Sequence, residues 1–481
     1  MRQAKEPSSA GAVLGWLALA ALAPGAAHLR AGWRRTGLAL ISCYIVGLLA
    51  LLAFALTTDN LVGTLIERMT TIIVSAAVLG VAWFAVIVHS FIVLRPGRLP
   101  QGGQIVTGTL AGLLAVAVVL PFGVITQYVW TLQSTVNDIF QETPSDSPSS
   151  GAAAERPEDP WAGRERVNIL LLGGDADDNR IGVRTDSMNL ASVDVKTGNT
   201  VLFSLPRNLE NVRFRPGTPM AQHFPNGFRL PPDPGGGRSD LLNSVWEYAD
   251  AHPEIFGGKQ HQGPRVLMDT IGYTLGVKVD WYALVNMWGF ARLIDAIGGI
   301  TITVEKDVVF GKYNEGLVKA GTRKLKGADA MWYARSRTFS DDYTRMRRQR
   351  CVLGALLTQA DPATVLARFN RIALATKELI RTDIPRGMLK NLVPLALKVK
   401  NAKVTSVQFV PPLISTGYPD WEKIRTIAAK AMRDSGENKP PVAATASSGP
   451  SPKKTAAAKK AGQKPVQSPA KGITDGCDGS L

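Results

Sequence analysis

Six arginines (Arg335, Arg337, Arg345, Arg347, Arg348 and Arg350) crowd the stretch from Tyr333 to Arg350, with only Asp341 and Asp342 to balance them. A guanidinium donates two parallel hydrogen bonds to a phosphate, so converging arginines are hardware for phosphate or pyrophosphate. The run Ala328–Arg337 reads as a helix end followed by an Arg-Ser-Arg exit loop. The run Tyr343–Gln359 reads as a second helix, stopped by Asp361-Pro362. Helical spacing puts Arg345, Arg348 and Gln349 on one face and turns Arg347 and Arg350 elsewhere, toward solvent. A solvated basic helix face is the plain alternative.

Three short stretches supply partners: Gly173-Gly174-Asp175, Arg184-Thr185-Asp186-Ser187 and Ser204-Leu205-Pro206-Arg207. Asp175 and Arg207 each end an apolar run that reads as a strand, and ligands of open α/β sheets bind at the carboxyl edge of the strands. Two carboxylates beside several arginines suit a metal-bridged pyrophosphate. Asp175 and Asp186 are the candidate Mg²⁺ ligands, and the arginines neutralise the phosphate oxygens. The bland alternatives are a turn cap at Asp175 and an Asp186–Arg184 ion pair.

The elements that must position these groups follow from composition. Thr36–Leu56, Thr70–Leu94 and Gly103–Trp130 are each apolar for long enough to cross a bilayer, and a shorter run, Ala10–Ala27, is a possible fourth span. The loops holding Arg30, Arg34 and Arg35, and Arg95 and Arg98, are basic and stay cytoplasmic, which places the chain after Trp130 outside. Residues 1–136 form this membrane region, and the Ser/Pro/Glu/Ala-rich residues 137–163 a flexible linker. Strands are expected at Val167–Asp175, Met188–Val195, Thr200–Leu205, Trp281–Asn286, Gly299–Val304 and Val404–Val410. Helices are expected at Ser239–Ala251, Gly263–Leu275, Gly289–Ala296, Ala363–Leu379, Gly387–Lys398 and Asp420–Met432, with a long mobile loop at Pro216–Gly237. This alternation argues for an α/β sandwich with a central mixed sheet over 164–356, extended by a smaller α/β region at 357–432. Residues 433–481, rich in Lys, Ala and Pro, read as disordered.

The net charge of +16 and pI near 9.8 call for polyanionic surroundings. Nucleic acid fits the charge but not the arrangement: the arginine cluster lies outside the membrane and is not interleaved with the aromatics that stacking needs. The five histidines are scattered, which excludes a zinc site or a Ser-His triad. The three cysteines form no CxxC, and a Cys351–Cys477 bridge is disfavoured by the character of the tail.

The ordered set of LLLGGD, RTDSM…SVDVKTG, SLPR, a central YALV…FARLIDAIGGI and YARSR…DDYTRMRRQR resembles the LytR-CpsA-Psr family over about Val167–Leu356, and more weakly through Trp421. Members are membrane-anchored, extracytoplasmic phosphotransferases with an α-β-α sandwich and an apolar lipid pocket. They are thought to move teichoic acids, capsular polysaccharides or arabinogalactan from a polyprenyl-pyrophosphate carrier to peptidoglycan, with Mg²⁺. The resemblance implies that Asp175 and Asp186 are the metal carboxylates. It makes Arg184, Arg207, Arg335, Arg337 and Arg345 pyrophosphate ligands, with Asp342 and Gln349 in the same shell. Asp186, Arg207, Arg337, Arg345 and Asp342 are the catalytic candidates, Asp342 being a candidate base. Asn208 stands where the family usually has aspartate, and Leu241 where it often has lysine, which implies altered substrate geometry. The pocket would be lined by Val266–Leu275 and Phe290–Ile297, which ordinary core packing explains equally well. A polyprenyl-pyrophosphate pyrophosphatase and a non-catalytic wall-polymer binder or regulator are the competing readings.

Overall fold

The computed structural model describes residues 9–58, 64–65, 67–140, 161, 163–175, 184–232, 234, 237–360, 380–436 and 470–477. The chain divides into two compact units, residues 1–138 with 389–393, and 139–388 with 394–481.

In the first unit the helices are α1 (Ala10–Leu22), α2 (Ala26–Arg30), α3 (Arg34–Thr57), α4 (Met69–Val93) and α5 (Gln101–Ile139). Three segments, Arg34–Thr57, Met69–Arg98 and Gln101–Asn137, are long and apolar enough to cross a membrane; α1, at 13 residues, is a shorter apolar helix. Leu17, Ile87, Ala111 and Ala115 form a small core between α1, α4 and α5. Most other large apolar side chains here, such as Leu49, Val81 and Leu113, are exposed.

The second unit is built on β1 (Arg166–Asp175), β2 (Arg184–Asp194) and β3 (Thr200–Leu205), followed by α6 (Pro219–His223), α7 (Val245–Ala251) and α8 (Gly263–Leu275). Next come β4 (Trp281–Asn286), α9 (Met287–Ala296), β5 (Ile300–Val304), β6 (Val308–Phe310), β7 (Gly316–Val318) and β8 (Gly321–Leu325). The chain continues through α10 (Gly327–Arg335), α11 (Asp342–Gln359), β9 (Ile380–Thr382), α12 (Leu389–Asn401), β10 (Val404–Gln408), α13 (Trp421–Gly436) and β11 (Lys471–Gly472).

Seven strands form a mixed sheet in the order β11-β10-β3-β2-β1-β4-β9, with β1/β4 and β3/β10 parallel and the other neighbours antiparallel. Side chains alternate across it, as a pleated strand requires. Leu170, Leu190, Phe203 and Leu284 pack with Trp246, Leu267, Ile271, Ile424 and Ala428 of α7, α8 and α13. Leu171, Gly173, Ala283 and Val285 belong to the other face, beside α9, α10 and α11.

Several expectations are corrected. Gly299–Val304 is not in the central sheet: β5 pairs with β8 in a two-stranded sheet whose Ile300, Ile302 and Val304 pack on Ile294, Tyr333 and Val352. Alternation alone gives a strand's faces, not its partner. The expected helix from Ser239 starts only at Val245, after a 3₁₀ turn at Leu242–Ser244. The Pro/Gly-rich loop at 216–237 is anchored, because Phe214, Phe224, Phe228 and Tyr248 make an edge-to-face cluster with Phe228 fully buried. The helix expected at 363–379 lies outside the described residues. The tail is folded at its end: β11 pairs with β10, and Cys477 is disulfide-bonded to Cys351 of α11, 126 residues away. Arg350, expected in solvent, is buried and donates to the Asp475 carbonyl at 2.6 Å.

One buried acid gives the unit a pH signature. Burial pushes the Asp383 carboxyl up to about 6, against the amide of Tyr282 that donates to it at 2.7 Å; the nearby Asp280 pushes the same way as burial. The folded state therefore binds this proton more tightly than the unfolded chain does. Its stabilising effect is complete below about pH 4 and is lost as pH rises through about 6. Thermal melts between pH 4 and 7 should show wild type losing on the order of 2–3 kcal/mol relative to Asp383→Asn across that window, with parallel curves above it.

Candidate active site

The carboxyl ends of β1, β3 and β4 meet the amino end of β2 at one edge of the sheet. There Gly173 pairs with Ser187 but Gly174 pairs with Thr185, so Asp186 is the extra residue of a β-bulge. A bulge re-aims the side chain it carries. Glycine at 173 is required by close approach, since a Cβ there would sit 2.5 Å from Ser187 Oγ.

Arg207 follows β3 on Pro206 and donates from Nη1 to Asp186 Oδ1 at 2.5 Å; its Nε lies 3.3 Å from Asp342 Oδ1. Asp342 opens α11. Asp341 caps that helix by accepting from the Thr344 amide at 2.7 Å; the Thr344 hydroxyl and this amide together hold its carboxyl below the ordinary range. Arg345, one turn on and only 3% exposed, places Nη2 3.0 Å from Asp342 Oδ1 and donates to the Asp186 carbonyl at 3.2 Å. Burial pushes the Arg345 guanidinium below its ordinary value and the Asp342 carboxylate pulls it back. Asp186, Arg207, Asp342 and Arg345 thus form an alternating ring of two carboxylates and two guanidiniums.

The ring stands at a cavity of about 250 Å³ lined by Asp186, Arg335, Arg345 and Gln349 together with apolar side chains of β1, β4, α9, α10 and α11. On α11 the residues Arg345, Gln349, Val352, Leu353 and Leu356 make one stripe that runs from charge to hydrocarbon. Phe290 and Leu293 of α9 line the cavity, as expected. Helix α8 does not: Leu267 and Ile271 belong to the core on the opposite face.

The remaining candidates are dispersed around this centre. Arg335 ends α10, lines the cavity and lies 5.3 Å over the Trp332 ring, which in turn stacks on Phe310. Arg337 is exposed in the α10–α11 loop and its charge is felt by Arg345. Arg184 is not paired with Asp186; its Nε faces Glu247 at 3.4 Å. Asp175 ends β1 opposite Arg184 in register, and its side chain lies outside the described residues. Gln349 Nε2 donates to the Ala334 carbonyl at 3.4 Å. Arg348 is corrected: it is buried and turned away from the cavity. It donates to the Ser336 carbonyl and to Ser340 Oγ at 2.9 Å each, and so clamps the loop that carries Arg337. Arg347 pairs with Glu305 at 2.7 Å.

As a metal site, the donor set is one of hard carboxylate oxygens; both Asp342 oxygens are buried, Oδ1 facing Arg207 and Arg345 and Oδ2 accepting no hydrogen bond. Among the described residues no three metal-ligating side chains converge. One or two carboxylates completed by substrate phosphates is how Mg²⁺ is commonly held, so the residues fit it.

The LytR_cpsA_psr family model matches residues 126–418. The chain belongs to the LytR-CpsA-Psr family. A protein of Halalkalibacterium halodurans named polyisoprenyl-teichoic acid–peptidoglycan teichoic acid transferase TagU is 25% identical over 264 residues, covering 51% of this chain and 74% of that one. The TagU protein of Bacillus subtilis (strain 168) is 24% identical, over 63% of this chain and 88% of that one. The probable cell wall biosynthesis protein LcpB of Corynebacterium glutamicum is 29% identical, over 62% and 63%. The family match spans the bulge, the ring and α11 in one continuous segment.

Sequence reasoning missed the cavity wall supplied by Met287, Met331, Leu353 and Leu356. The signal was there, because Leu353 and Leu356 continue the Arg345–Gln349 helical spacing, but an apolar stripe reads as core. The Arg348 clamp makes a direct prediction. Thermal melts should show Arg348→Ala destabilised by about 2–4 kcal/mol, since it orphans buried carbonyls, and exposed Arg337→Ala by less than about 1 kcal/mol. Equal losses would contradict the clamp.

Proposed function

We propose that this chain transfers a glycopolymer from a polyprenyl-pyrophosphate carrier to peptidoglycan, as a multi-pass membrane protein whose sheet domain is extracytoplasmic. The observation that carries the reading is the joining of the Asp/Arg ring to an apolar cavity. A pyrophosphate needs clustered guanidiniums, and a prenyl chain needs a dry wall of hydrocarbon next to them. The relatives' names support the polymer-to-peptidoglycan step, and the basic loops at Arg30–Arg35 and Arg95–Arg98 support the orientation.

In this reading Arg335, Arg337 and Arg345 bind the pyrophosphate oxygens. Arg207 and Asp342 hold Arg345 and Asp186 in place, and the prenyl chain runs along Val352, Leu353 and Leu356. Asp186, with Asp175, would hold Mg²⁺, which when bound would supply neutralising charge to the pyrophosphate. A hydroxyl of the wall glycan attacks the phosphorus that bears the polymer. A P–O bond forms to the acceptor, the bond to the carrier phosphate breaks, and polyprenyl phosphate leaves with the electron pair. Both carboxylates face Arg207 and Arg345, but Asp186 lines the cavity and is 33% exposed against 16% for Asp342, so Asp186 is the one that takes the hydroxyl proton.

The test mixes full-length protein in nanodiscs with Mg²⁺, a short polyprenyl-pyrophosphate glycan and a peptidoglycan fragment, and follows products by mass spectrometry. Wild type should give a glycan-phosphate-muropeptide adduct, reduced about 10²–10³-fold in Asp186→Ala and Arg337→Ala. Leu353→Trp, which fills the cavity, should raise KM for the donor. Polyprenyl phosphate released without adduct would instead mean a pyrophosphatase, and turnover surviving both site substitutions would sink the assignment.

A further inference from the structure

The loop that carries Arg207 continues past the ring and forms the wall of a second cavity, of about 450 Å³. Its polar lining is Glu210, Asn211, Arg229, Arg238 and Asp240, with Tyr418 at its edge. Arg238 Nη1 reaches Glu210 at 2.5 Å, while its Nε and Nη2 donate to the two oxygens of Asp240 at 2.8 Å each; Arg229 Nε donates to Asn211 Oδ1 at 2.8 Å. Two carboxylates meet two guanidiniums, so the lining has no net charge and offers nothing to a pyrophosphate. What it does offer is planar donors and acceptors whose orientations are fixed by one another.

Tyr418 completes the chemistry. Its ring is 88% exposed, yet its backbone is held from several sides. The Tyr418 amide donates to Ser415 Oγ at 3.2 Å, Asn211 Nδ2 donates to the Gly417 carbonyl at 2.8 Å, and the Glu210 amide donates to the Thr416 carbonyl at 2.9 Å. Leaving a large aromatic surface in water on a pinned backbone makes a preformed platform with little left to order on binding. A flat apolar face bordered by rigid, charge-balanced hydrogen-bonding groups matches a sugar ring, which presents C–H groups on its face and hydroxyls at its rim.

We propose that this cavity is a binding subsite for a neutral pyranose, with Tyr418 as the stacking platform and the more exposed Glu210, Arg229 and Arg238, held in place by Asn211 and Asp240, as the hydroxyl-binding groups. Its role rests on the transferase reading, because the loop that carries Arg207 of the ring also carries Glu210 and Asn211 of this cavity. Glu210 lies three residues beyond Arg207, and the hydroxyl of Tyr343, which follows Asp342, lies 3.2 Å from Thr416 Oγ1. These two links connect the cavity's walls to the segments that carry the ring. The sugar comes either from the acceptor glycan or from the polymer on the carrier, and both present the same chemistry.

The test uses full-length protein in nanodiscs and an uncharged N-acetylglucosamine tetramer, with binding followed by saturation-transfer NMR and calorimetry. Tyr418→Ala should weaken binding about tenfold, while Tyr418→Phe, which keeps the ring face, should bind as wild type does. A sulfated tetramer should gain nothing from the cavity. Wild-type affinity in Tyr418→Ala, or equal loss in the Phe variant, would overturn the platform; tighter binding of the sulfated tetramer would overturn the neutral-ligand claim. In the transfer assay, the substrate whose KM rises in Tyr418→Ala identifies the source of the sugar. If wild type transfers nothing yet tetramer binding still falls in Tyr418→Ala, the subsite stands and the transferase reading falls.

Discussion

The site depends on keeping Arg207 and Arg345 together in a partly buried space. Two guanidiniums at such range repel, and burying either one without a partner costs several kcal/mol. Asp186 and Asp342 offset that cost by alternating with them: Asp342 faces both arginines, at 3.3 and 3.0 Å, and Asp186 accepts from Arg207. Three local features position this arrangement. The bulge at Asp186 turns one carboxylate inward, Pro206 ends β3 where Arg207 must emerge, and the Asp341 cap starts α11 one residue before Asp342.

Around the ring, the cationic residues divide into those that hold and those that are held ready. Arg348 and Arg350 are buried among protein carbonyls and fasten the α10–α11 loop and the C-terminal strand to α11. The Cys351–Cys477 bridge acts at the same place, tying the helix that carries Asp342, Arg345 and Gln349 to the edge of the sheet. Arg335 and Arg337 are exposed near the cavity. A basic sequence run thus contains two populations, one buried among protein carbonyls and one left exposed near the cavity.

Much of this was legible in the sequence, and the limits have physical causes. The strand ending on Asp175, the Arg207 position after β3 and the Arg345–Gln349 pair all follow from local periodicity, which the structure keeps; Gly173 and Gly174, which read as a turn, instead stay in the strand and pair across the bulge. Helical spacing gives an angle around an axis but not what lies at that angle. For that reason Arg348, expected beside Arg345, proved to face α10, and Arg350, expected in water, proved to be buried. Gly299–Val304 was readable as a strand, but its partner β8 is set by the packing of Ile300 and Ile302. Cys477 sits in a composition that argues for disorder, and nothing local signals that β11 pairs with β10 and returns it to Cys351.

In the proposed transferase, one ligand spans the ring and the cavity, with its pyrophosphate at Arg345 and its chain along α11. The most direct measurement is photo-crosslinking of full-length protein in nanodiscs with a polyprenyl pyrophosphate carrying a diazirine in its chain, followed by peptide mapping. The account predicts adducts on Phe290, Leu293, Val352, Leu353 or Leu356 that are competed away by unlabelled polyprenyl pyrophosphate and lost in Arg345→Ala. Competed adducts confined to α8, or to the apolar surface of the first unit, would contradict it.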